Sequence, residues 1–414
     1  MFPNPHDALP LPSHPNLEHY KKLAKDLVKA AASSNQNALL DWTSGWLNHL
    51  AQLANLGSTD QFRIDIQHWP DEFVNFVRSH ESAGKLPLSK AQLALARAHG
   101  FGSWPKFSRY LDALAHSTTA ESEFESAADA IVNGDLATLT QFVSGKPQLV
   151  RARSAREHQA TLLHYTAANG VEGYRQKTSS NIVEIARLLL DSGADINAEA
   201  NLYGGGSTTL ELAATSVHPE RTGVQESLMQ LLIDRGASEK SANANARTLI
   251  SNCLGNGRLR AAEFLAKRGF RIDLEAAAGL GLLDPVTTLF GDTPQEQRER
   301  ALCWACEYGR RDAVQFLLER KVSVHAVVSG LTPLHWAVLG GHIEIIRLLL
   351  SHGADLEEKN TYGGTALGQA LWTANNVRSD AKYLNVLDAL IEAGAKLGPK
   401  TRGWITEQKM RRRR

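Results

Sequence analysis

The chain has little cysteine and no surplus of charge of either sign. Three cysteines among 414 residues (Cys253, Cys303 and Cys306) are too few for a disulfide-stabilised scaffold and are typical of a reducing compartment. The 45 Lys and Arg residues against 44 Asp and Glu give a net charge of +1. The composition therefore does not indicate a chain-wide electrostatic contact with nucleic acid or anionic lipid.

Long apolar runs and targeting signals are also missing. The sequence has no run of about 18 apolar residues, so no membrane-spanning helix is predicted. Residues 1–15 contain several prolines but no Lys or Arg, so we expect no secretory signal peptide there. We therefore expect a cytoplasmic protein, and 414 residues allow either two or three domains or one repeat array.

Internal repetition is the clearest positive signal. One unit begins at Gly330 as Gly-Leu-Thr-Pro-Leu-His-Trp-Ala, continues into a segment ending in three leucines, and closes with Gly-Ala-Asp. Thr332 and Pro333 are typical of a helix N-cap and first turn, and Gly353 is typical of a left-handed helix stop. This unit resembles the ankyrin repeat, which consists of a β-turn finger and two helices.

The glycine between the two helices of that unit allows the repeats to be counted. Its equivalents are spaced by about 34 residues on average, close to the ankyrin period of about 33. They are Gly134, Gly170, Val217, Gly257, Gly281, Gly309, Gly341 and Ala374. The resemblance therefore implies an all-α ankyrin-repeat solenoid of about eight repeats over residues 121–398.

Three repeats are longer than the period because they carry extra residues between their two helices. These insertions are Val171–Ser180, Val217–Gln225 and Asn375–Lys382. Insertions in a solenoid map to one of its faces. Their polar composition predicts solvated loops rather than additional core.

Residues 1–120 do not follow the period and are predicted to form a separate helical module. Apolar spacing predicts helices at Leu17–Ala32, Asn37–Asn55, Asp71–His80, Ser89–His99 and Trp104–Leu114. The stretches Lys-Lys-Leu-Ala-Lys-Asp-Leu (21–27) and Gly-Phe-Gly-Ser-Trp-Pro-Lys-Phe (100–107) resemble a module that precedes ankyrin arrays in bacterial proteins. That resemblance carries no known activity. The predicted domains are the module (1–120), the array (121–398) and a basic tail (399–414).

Patterns typical of catalytic, phosphate-binding and metal sites are missing, so we expect no enzyme activity, cofactor or metal. The sequence has no His-Glu-x-x-His, Gly-x-Ser-x-Gly or Gly-x-x-x-x-Gly-Lys-Ser/Thr motif. Cys303 and Cys306 have the spacing of redox and zinc sites, but the repeat register places them at helix-packing positions. The resemblance implies that His164 and His335 bridge backbone groups of neighbouring turns.

An ankyrin array offers a surface for protein binding. The repeat register projects variable positions onto the concave face and the finger tips, where aromatic side chains are typical anchors of an interface. The candidate partner-binding residues are Asn169, Glu307, Tyr308, Tyr362 and Trp372. The alternative for Tyr308 and Trp372 is that they cover the core of the array. The main hypothesis is a non-catalytic scaffold or adaptor, monomeric, that binds a protein of unknown identity on the concave face of the array.

The basic tail ends in Arg411–Arg414. This tail is consistent either with a weak nucleic-acid contact or with a solvated chain end.

A second hypothesis is an enzyme whose active site lies in the module, with the array presenting a protein substrate. Convergence of titratable residues in one pocket with perturbed ionisation would favour it. The candidates are Asp41, Asp65, Asp71, Glu72, His49, His68 and His80, near Trp42, Trp46 and Trp69. A third hypothesis makes the module a lid on the array, which predicts a large apolar interface with the first repeats.

Overall fold

The computed structural model describes residues 8–12, 15–35, 37–53, 61–82, 85–116, 118–239, 247–376 and 381–396. The chain consists of two units, residues 1–240 and 241–414, and each is described by itself. The predicted basic tail, with Arg411–Arg414, lies outside the described residues.

The first unit begins with five helices that enclose aromatic and aliphatic side chains. They are α1 (Leu17–Ala31), α2 (Ala38–Leu53), α3 (Gln61–Arg78), α4 (Leu88–Ala98) and α5 (Trp104–Leu114). Helix α1 begins after Asn16 because the side-chain oxygen of this residue accepts hydrogen bonds from the N–H groups of Glu18 and His19. Its buried residues, Tyr20, Ala24 and Leu27, recur every three to four positions and face the core.

Helix α3 differs from the prediction, whereas the other four module helices lie within two residues of it. The predicted start at Asp71 is wrong, because α3 begins at Gln61 and continues through Pro70. Proline is normally a helix breaker, since it lacks an N–H group and its ring clashes with a preceding carbonyl. Here the helix tolerates it in its interior.

The rest of the first unit consists of short helices joined by tight turns. The helices are α6 (Ala120–Asn133), α7 (Leu136–Gly145), α8 (Leu162–Tyr165), α9 (Ile182–Asp191), α10 (Thr209–Thr215), α11 (Val217–Arg221) and α12 (Gln225–Asp234). Two 3-10 turns cover Pro147–Arg151 and Gly173–Arg175. The strands β1 (Glu199–Ala200) and β2 (Ser207–Thr208) pair antiparallel, with Glu199 opposite Thr208, and form a finger before α10.

The second unit is built from pairs of helices in two layers. The helices are α13 (Leu249–Gly255), α14 (Leu259–Lys267), α15 (Leu274–Leu280), α16 (Leu283–Leu289), α17 (Gln295–Glu307), α18 (Arg311–Glu319), α19 (Pro333–Gly340), α20 (Ile343–Ser351), α21 (Ala366–Asn376) and α22 (Ala381–Glu392). The inner layer runs α15, α17, α19, α21, and the outer layer runs α16, α18, α20, α22, each helix contacting the next in its layer. The fold class is therefore all-α with stacked helix pairs, as predicted.

Six of the eight positions used to count the repeats are left-handed glycines. Their φ angles lie between +70° and +77°, a region that residues with a Cβ rarely adopt, and they are Gly134, Gly170, Gly257, Gly281, Gly309 and Gly341. The two positions without glycine are not turns: Val217 begins α11 and Ala374 lies inside α21. Among the helices of the described ranges, none is both long enough and apolar enough to cross a membrane.

Candidate functional site

The second unit exposes three large apolar side chains on two consecutive repeats. Tyr362 is 84% exposed, Val327 58% and Trp372 55%. Val327 and Tyr362 lie in the fingers that precede α19 and α21. The N–H group of Thr361 donates to the carbonyl oxygen of Gly330 at 3.0 Å, so these two fingers are joined by a backbone hydrogen bond. We call Val327, Tyr362 and Trp372 the finger surface.

A tight turn holds Tyr362 away from the core. The side-chain oxygen of Asn360 accepts hydrogen bonds from the N–H groups of Tyr362 (3.0 Å) and Gly364 (2.9 Å). Gly363, between them, has a φ of +80°, which favours glycine at the tip. Asn360 itself is buried, so the turn is anchored from beneath and presents the phenol ring to solvent.

Helical spacing places Trp372 on the solvent-facing side of α21. The buried residues Ala366, Ala370 and Thr373 are three to four positions apart and face the core. Trp372 lies between these positions and remains half exposed. The finger surface therefore combines a finger tip and an inner helix of the same repeat.

The predicted residues Glu307 and Tyr308 are half-buried and engaged within the second unit. The hydroxyl group of Tyr308 donates to the carbonyl oxygen of Leu254 at 2.5 Å. The carbonyl oxygen of Glu307 accepts from His342 Nε2 at 2.9 Å. These contacts agree with the alternative for Tyr308, in which the side chain covers the core of the array.

Asn169 lies in the first unit and orients a tyrosine that the sequence analysis did not single out. Its side-chain amide donates to the carbonyl oxygen of Leu212 (3.2 Å) and to Thr215 Oγ1 (3.0 Å). Its side-chain oxygen accepts from the hydroxyl group of Tyr203 at 2.7 Å. Tyr203 is 62% exposed on its finger. The signal for it was present, because a Tyr-Gly-Gly sequence begins at both Tyr203 and Tyr362.

The two histidines predicted to bridge turns do so. His335 Nε2 donates to the carbonyl oxygen of Gly364 (3.0 Å), and its Nδ1 lies 2.7 Å from Thr332 Oγ1. His164 Nε2 donates to the carbonyl oxygen of Ser207 at 3.2 Å. Burial lowers the pKa of His164 to about 4, and burial also lowers the pKa of His335. Both rings are therefore neutral structural links at pH 7.

The cysteines are packing residues. Cys253, Cys303 and Cys306 are buried thiols, and burial raises the pKa of each. A thiol with a raised pKa is a poor nucleophile and a poor metal ligand. Within the described part of the chain, no group of three or more His, Cys, Asp or Glu side chains is arranged to hold a metal ion.

The insertion predicted as a solvated loop in the second repeat places Val171, Glu172 and Arg175 inside the protein, so the prediction is wrong for these residues, whereas Lys177 and Ser180 are exposed. Glu172 Oε1 accepts from Arg156 Nη1 at 2.6 Å, and both side chains are at most 1% exposed. Arg156 Nη1 also lies 2.8 Å from Glu125, and Arg175 Nη1 lies 2.6 Å from the second oxygen of Glu125. We call Glu125, Arg156, Glu172 and Arg175 the ion-pair cluster. The polar composition was misleading because these charges neutralise one another inside the protein.

The ion-pair cluster connects the module to the first repeats. The guanidinium group of Arg156 lies over the ring of Tyr110 on α5, 5.5 Å from its centroid. The N–H group of Glu157 donates to the carbonyl oxygen of Gly100 at 2.9 Å. Burial alone would raise the pKa of Glu172, but the two guanidinium groups hold it well below its ordinary value. The module therefore meets the repeats through charged contacts as well as apolar ones.

The other two insertions also contribute internal contacts. Val217–Gln225 is helical in part, as α11, and it ends in a buried glutamine, so its prediction as a loop is wrong there, whereas residues 221–223 are exposed as predicted. The amide nitrogen of Gln225 donates to the carbonyl oxygens of Ala213, Ala214 and Ser216. In the third insertion, Lys382 Nζ donates to the carbonyl oxygen of Gly340 at 2.6 Å. Residues 377–380 of that insertion lie outside the described residues.

The module contains a cleft between α1 and α2 with a volume of about 570 Å³. We call it the module cleft, and it is lined by Pro12, Asn16, His19, Tyr20, Leu23, Asp41, Trp42, Gly45, Trp46, His49 and Leu50. Four of the residues considered for an active site, Asp41, His49, Trp42 and Trp46, therefore come together. The lining does not include Asp71, Glu72, His80 or Trp69. The side chains of Asp65 and His68 lie outside the described residues.

Family models match both units of the chain. The model "Ankyrin repeats (3 copies)" matches residues 274–360 and 302–401, and the model "Ankyrin repeat" matches residues 158–201. The matched regions contain the left-handed glycines at Gly170, Gly281, Gly309 and Gly341.

Curated relatives match the chain only over short parts of their own length. Human "Ankyrin repeat and KH domain-containing protein 1" is 35% identical over 102 residues, which cover 24% of this chain and 4% of the relative. "Palmitoyltransferase AKR1" of Lachancea kluyveri is 24% identical over 200 residues, 48% of this chain and 24% of the relative. "Palmitoyltransferase Hip14" of Drosophila melanogaster is 38% identical over 72 residues, 17% of this chain and 11% of the relative.

A solved structure, the human ASB11 ankyrin repeat domain, aligns with 66% of this chain and 99% of its own, at 23% identity and a TM-score of 0.35. The repeat assignment does not depend on this alignment. It depends on the family models, the stacked helix pairs and the histidines that bridge consecutive fingers. On these grounds both units of the chain contain ankyrin repeats.

Proposed function

We propose that this protein binds a partner protein through the finger surface and acts as a scaffold or adaptor without catalysing a reaction. Ankyrin repeats generally mediate protein–protein interactions. The observation that carries the proposal is the exposure of Val327, Tyr362 and Trp372 on two fingers and an inner helix of consecutive repeats. In this proposal the protein acts as a monomer in the cytoplasm, and the buried thiols of its three cysteines agree with such a reducing compartment.

The chemistry of these side chains suits an interface anchor. Tyrosine and tryptophan each bury about 150–250 Å² when covered, and they are enriched among the residues that contribute most to binding free energy. The turn around Asn360 fixes the backbone at Tyr362 in the unbound protein. Binding to a preformed surface loses little conformational entropy, so more of the contact energy remains as affinity.

The test uses the full-length chain and two variants. The immobilised wild-type chain is used to capture proteins from an extract of the source cells, and the captured proteins are identified. The dissociation constant of the purified partner is then measured for each variant. We expect Tyr362→Ala combined with Trp372→Ala to weaken binding at least about 30-fold, because truncating an anchor residue commonly costs about 2 kcal/mol or more. The far-ultraviolet circular dichroism should be unchanged, since both side chains are exposed.

Leu283→Ala provides the matched control. Leu283 is also a large exposed apolar residue of the second unit, but it begins the outer helix α16. Its truncation should leave the affinity within about twofold, as expected outside the binding anchors. Equal binding by the wild type and the double variant would overturn the assignment of the finger surface.

The activity in the names of the two palmitoyltransferases is not proposed for this chain. The segments that match it cover 24% and 11% of those proteins.

A further inference from the structure

The module cleft has the size and construction of a small-molecule site. Its volume of about 570 Å³ lies within the range of about 300–1,000 Å³ that is typical of ligand pockets. Helix α1 contributes His19, Tyr20 and Leu23, and Asn16, the residue that caps it, lies on the same face because these residues are three to four positions apart. The facing residues of α2 follow the same spacing.

An aromatic wall forms one side of the cleft. The rings of Trp42 and Trp46 stack with centroids 5.6 Å apart and an interplanar angle of 29°. Trp46 is held from behind by Phe73 (5.4 Å) and His99 (5.9 Å), so the wall is fixed by the core. The faces of such rings carry a negative electrostatic potential that attracts cations.

The charge of the lining favours a cation over an anion. Asp41, next to Trp42 on α2, is the acidic residue among the described lining residues, and none of them is Lys or Arg. The other lining residues with polar side chains are Asn16, Tyr20, His19 and His49, beside the two tryptophans. A carboxylate beside aromatic faces is the combination that recognises alkylated ammonium groups.

We propose that the module cleft binds an organic cation that carries an alkylated ammonium group. The alkyl groups pack against the indole of Trp42, which is half-buried, and the carboxylate of Asp41 balances the charge. This site is independent of the finger surface, so either assignment can fail without the other.

Gly45 gives the proposal a sharp structural test. It lies on α2 within the lining, and a Cβ added to it meets no other atom within 4 Å. Gly45→Leu therefore adds a side chain to the cleft lining at a position where its Cβ has room, and it removes a glycine from a helix interior, which favours folding. Gly145→Leu is the matched control, because Gly145 ends α7 with the same open surroundings outside the cleft.

The experiment titrates the full-length protein with choline and, separately, with 3,3-dimethylbutan-1-ol, followed by calorimetry and tryptophan fluorescence. The alcohol has the shape of choline but carbon in place of the charged nitrogen. We expect choline to bind at least about tenfold more tightly, because aromatic and carboxylate groups stabilise the charge. Asp41→Asn should weaken choline binding about tenfold, and Gly45→Leu should abolish it. Asp71→Asn, an exposed carboxylate of α3 outside the lining, and Gly145→Leu should bind as the wild type does.

Three results would overturn the proposal: no choline binding by the wild type, equal affinity for choline and the alcohol, or unchanged binding by Gly45→Leu. If Gly45→Leu fails to fold, Asp41→Asn still decides the question, because it keeps the shape of the side chain. Nε-trimethyl-lysine blocked at both ends distinguishes the source of the cation. Tighter binding than choline supports the same group carried on a protein side chain, and weaker binding supports a free small molecule.

Discussion

Replacing Glu172 by glutamine tests whether the ion-pair cluster stabilises the first unit. Glu172 Oε1 accepts from Arg156 Nη1 (2.6 Å) and from the hydroxyl group of Tyr165 (3.1 Å), whereas no hydrogen-bond donor contacts Oε2. A glutamine can keep every contact of Oε1 and place its amide nitrogen where Oε2 was. The substitution Glu172→Gln therefore removes the charge and conserves the shape.

The expected cost follows from the burial of the remaining charges. Arg156 and Arg175 are at most 5% exposed. Without the charge of Glu172 they would share one largely buried carboxylate, Glu125, because Asp129, the other acidic partner of Arg175, is more than half exposed. Removing one partner of a buried ion pair commonly lowers the free energy of unfolding by about 3–5 kcal/mol, since a buried charge is left uncompensated. Exposed pairs contribute about 0–1 kcal/mol.

Urea unfolding of the wild type and of two variants measures this difference. We expect Glu172→Gln to lower the midpoint of the transition of the first unit by about 1–2 M, given an m-value of about 3 kcal/mol per M for a unit of this size. Glu18→Gln, which removes one charge from the exposed Glu18–Lys21 pair of the same unit, is the matched control and should shift it by less than about 0.3 M. Equal shifts in the two variants would refute the reasoning.

Three further predictions concern the array. Burial lowers the pKa of His164 from 6.5 to about 4, so between these values the unfolded chain binds a proton that the folded chain does not. His164 alone should therefore lower the free energy of unfolding of the first unit by about 2 kcal/mol between pH 7 and pH 5, and His164→Gln should make the pH dependence shallower by about that amount. Tyr308→Phe should cost about 1 kcal/mol of stability in urea, through the lost hydrogen bond to α13, and leave partner affinity unchanged. Gly340→Ala should lower the free energy of unfolding by about 1–3 kcal/mol, because the added Cβ would overlap the carbonyl oxygen of Glu307. Gly368→Ala in the neighbouring helix α21 is the control and should be neutral or stabilising, so equal effects of the two substitutions would contradict the prediction.

The repeat fold is predictable from sequence because its determinants are local. Thr332 caps α19, Gly341 stops it with a φ of +70°, and His335 reaches the next finger, all within one repeat period. The module helices are predictable for the same reason, through apolar spacing and caps. Pro70 is the exception, because local rules favour a break there and the helix continues.

The buried charges are not predictable in this way, because their partners are distant in sequence. Arg175 pairs with Glu125, 50 residues earlier, and nothing near either residue indicates the contact. A polar insertion is normally solvated, and only the three-dimensional arrangement reveals that these charges are buried. The module cleft is predictable only in part. The spacing of Trp42, Gly45, Trp46 and His49 places these residues on one face of α2, but only the structure shows that α1 lies opposite that face.

Contacts between the module and the first repeats determine which parts of the first unit unfold together. The sequence places a boundary at residue 120, yet Arg156 contacts Tyr110 of the module, and Tyr174 of the second repeat packs against the module core. We therefore expect the module and the first repeats to open as one cooperative unit.

Hydrogen exchange measured by mass spectrometry tests this cooperativity. In Glu172→Gln, protection should fall in α4 and α5 as well as in α6, although the substituted residue lies outside the module. If the module were an independent domain, the loss would be confined to α6 and the segments that follow it. That result would support a domain boundary at residue 120. It would also mean that the ion-pair cluster stabilises only the first two repeats.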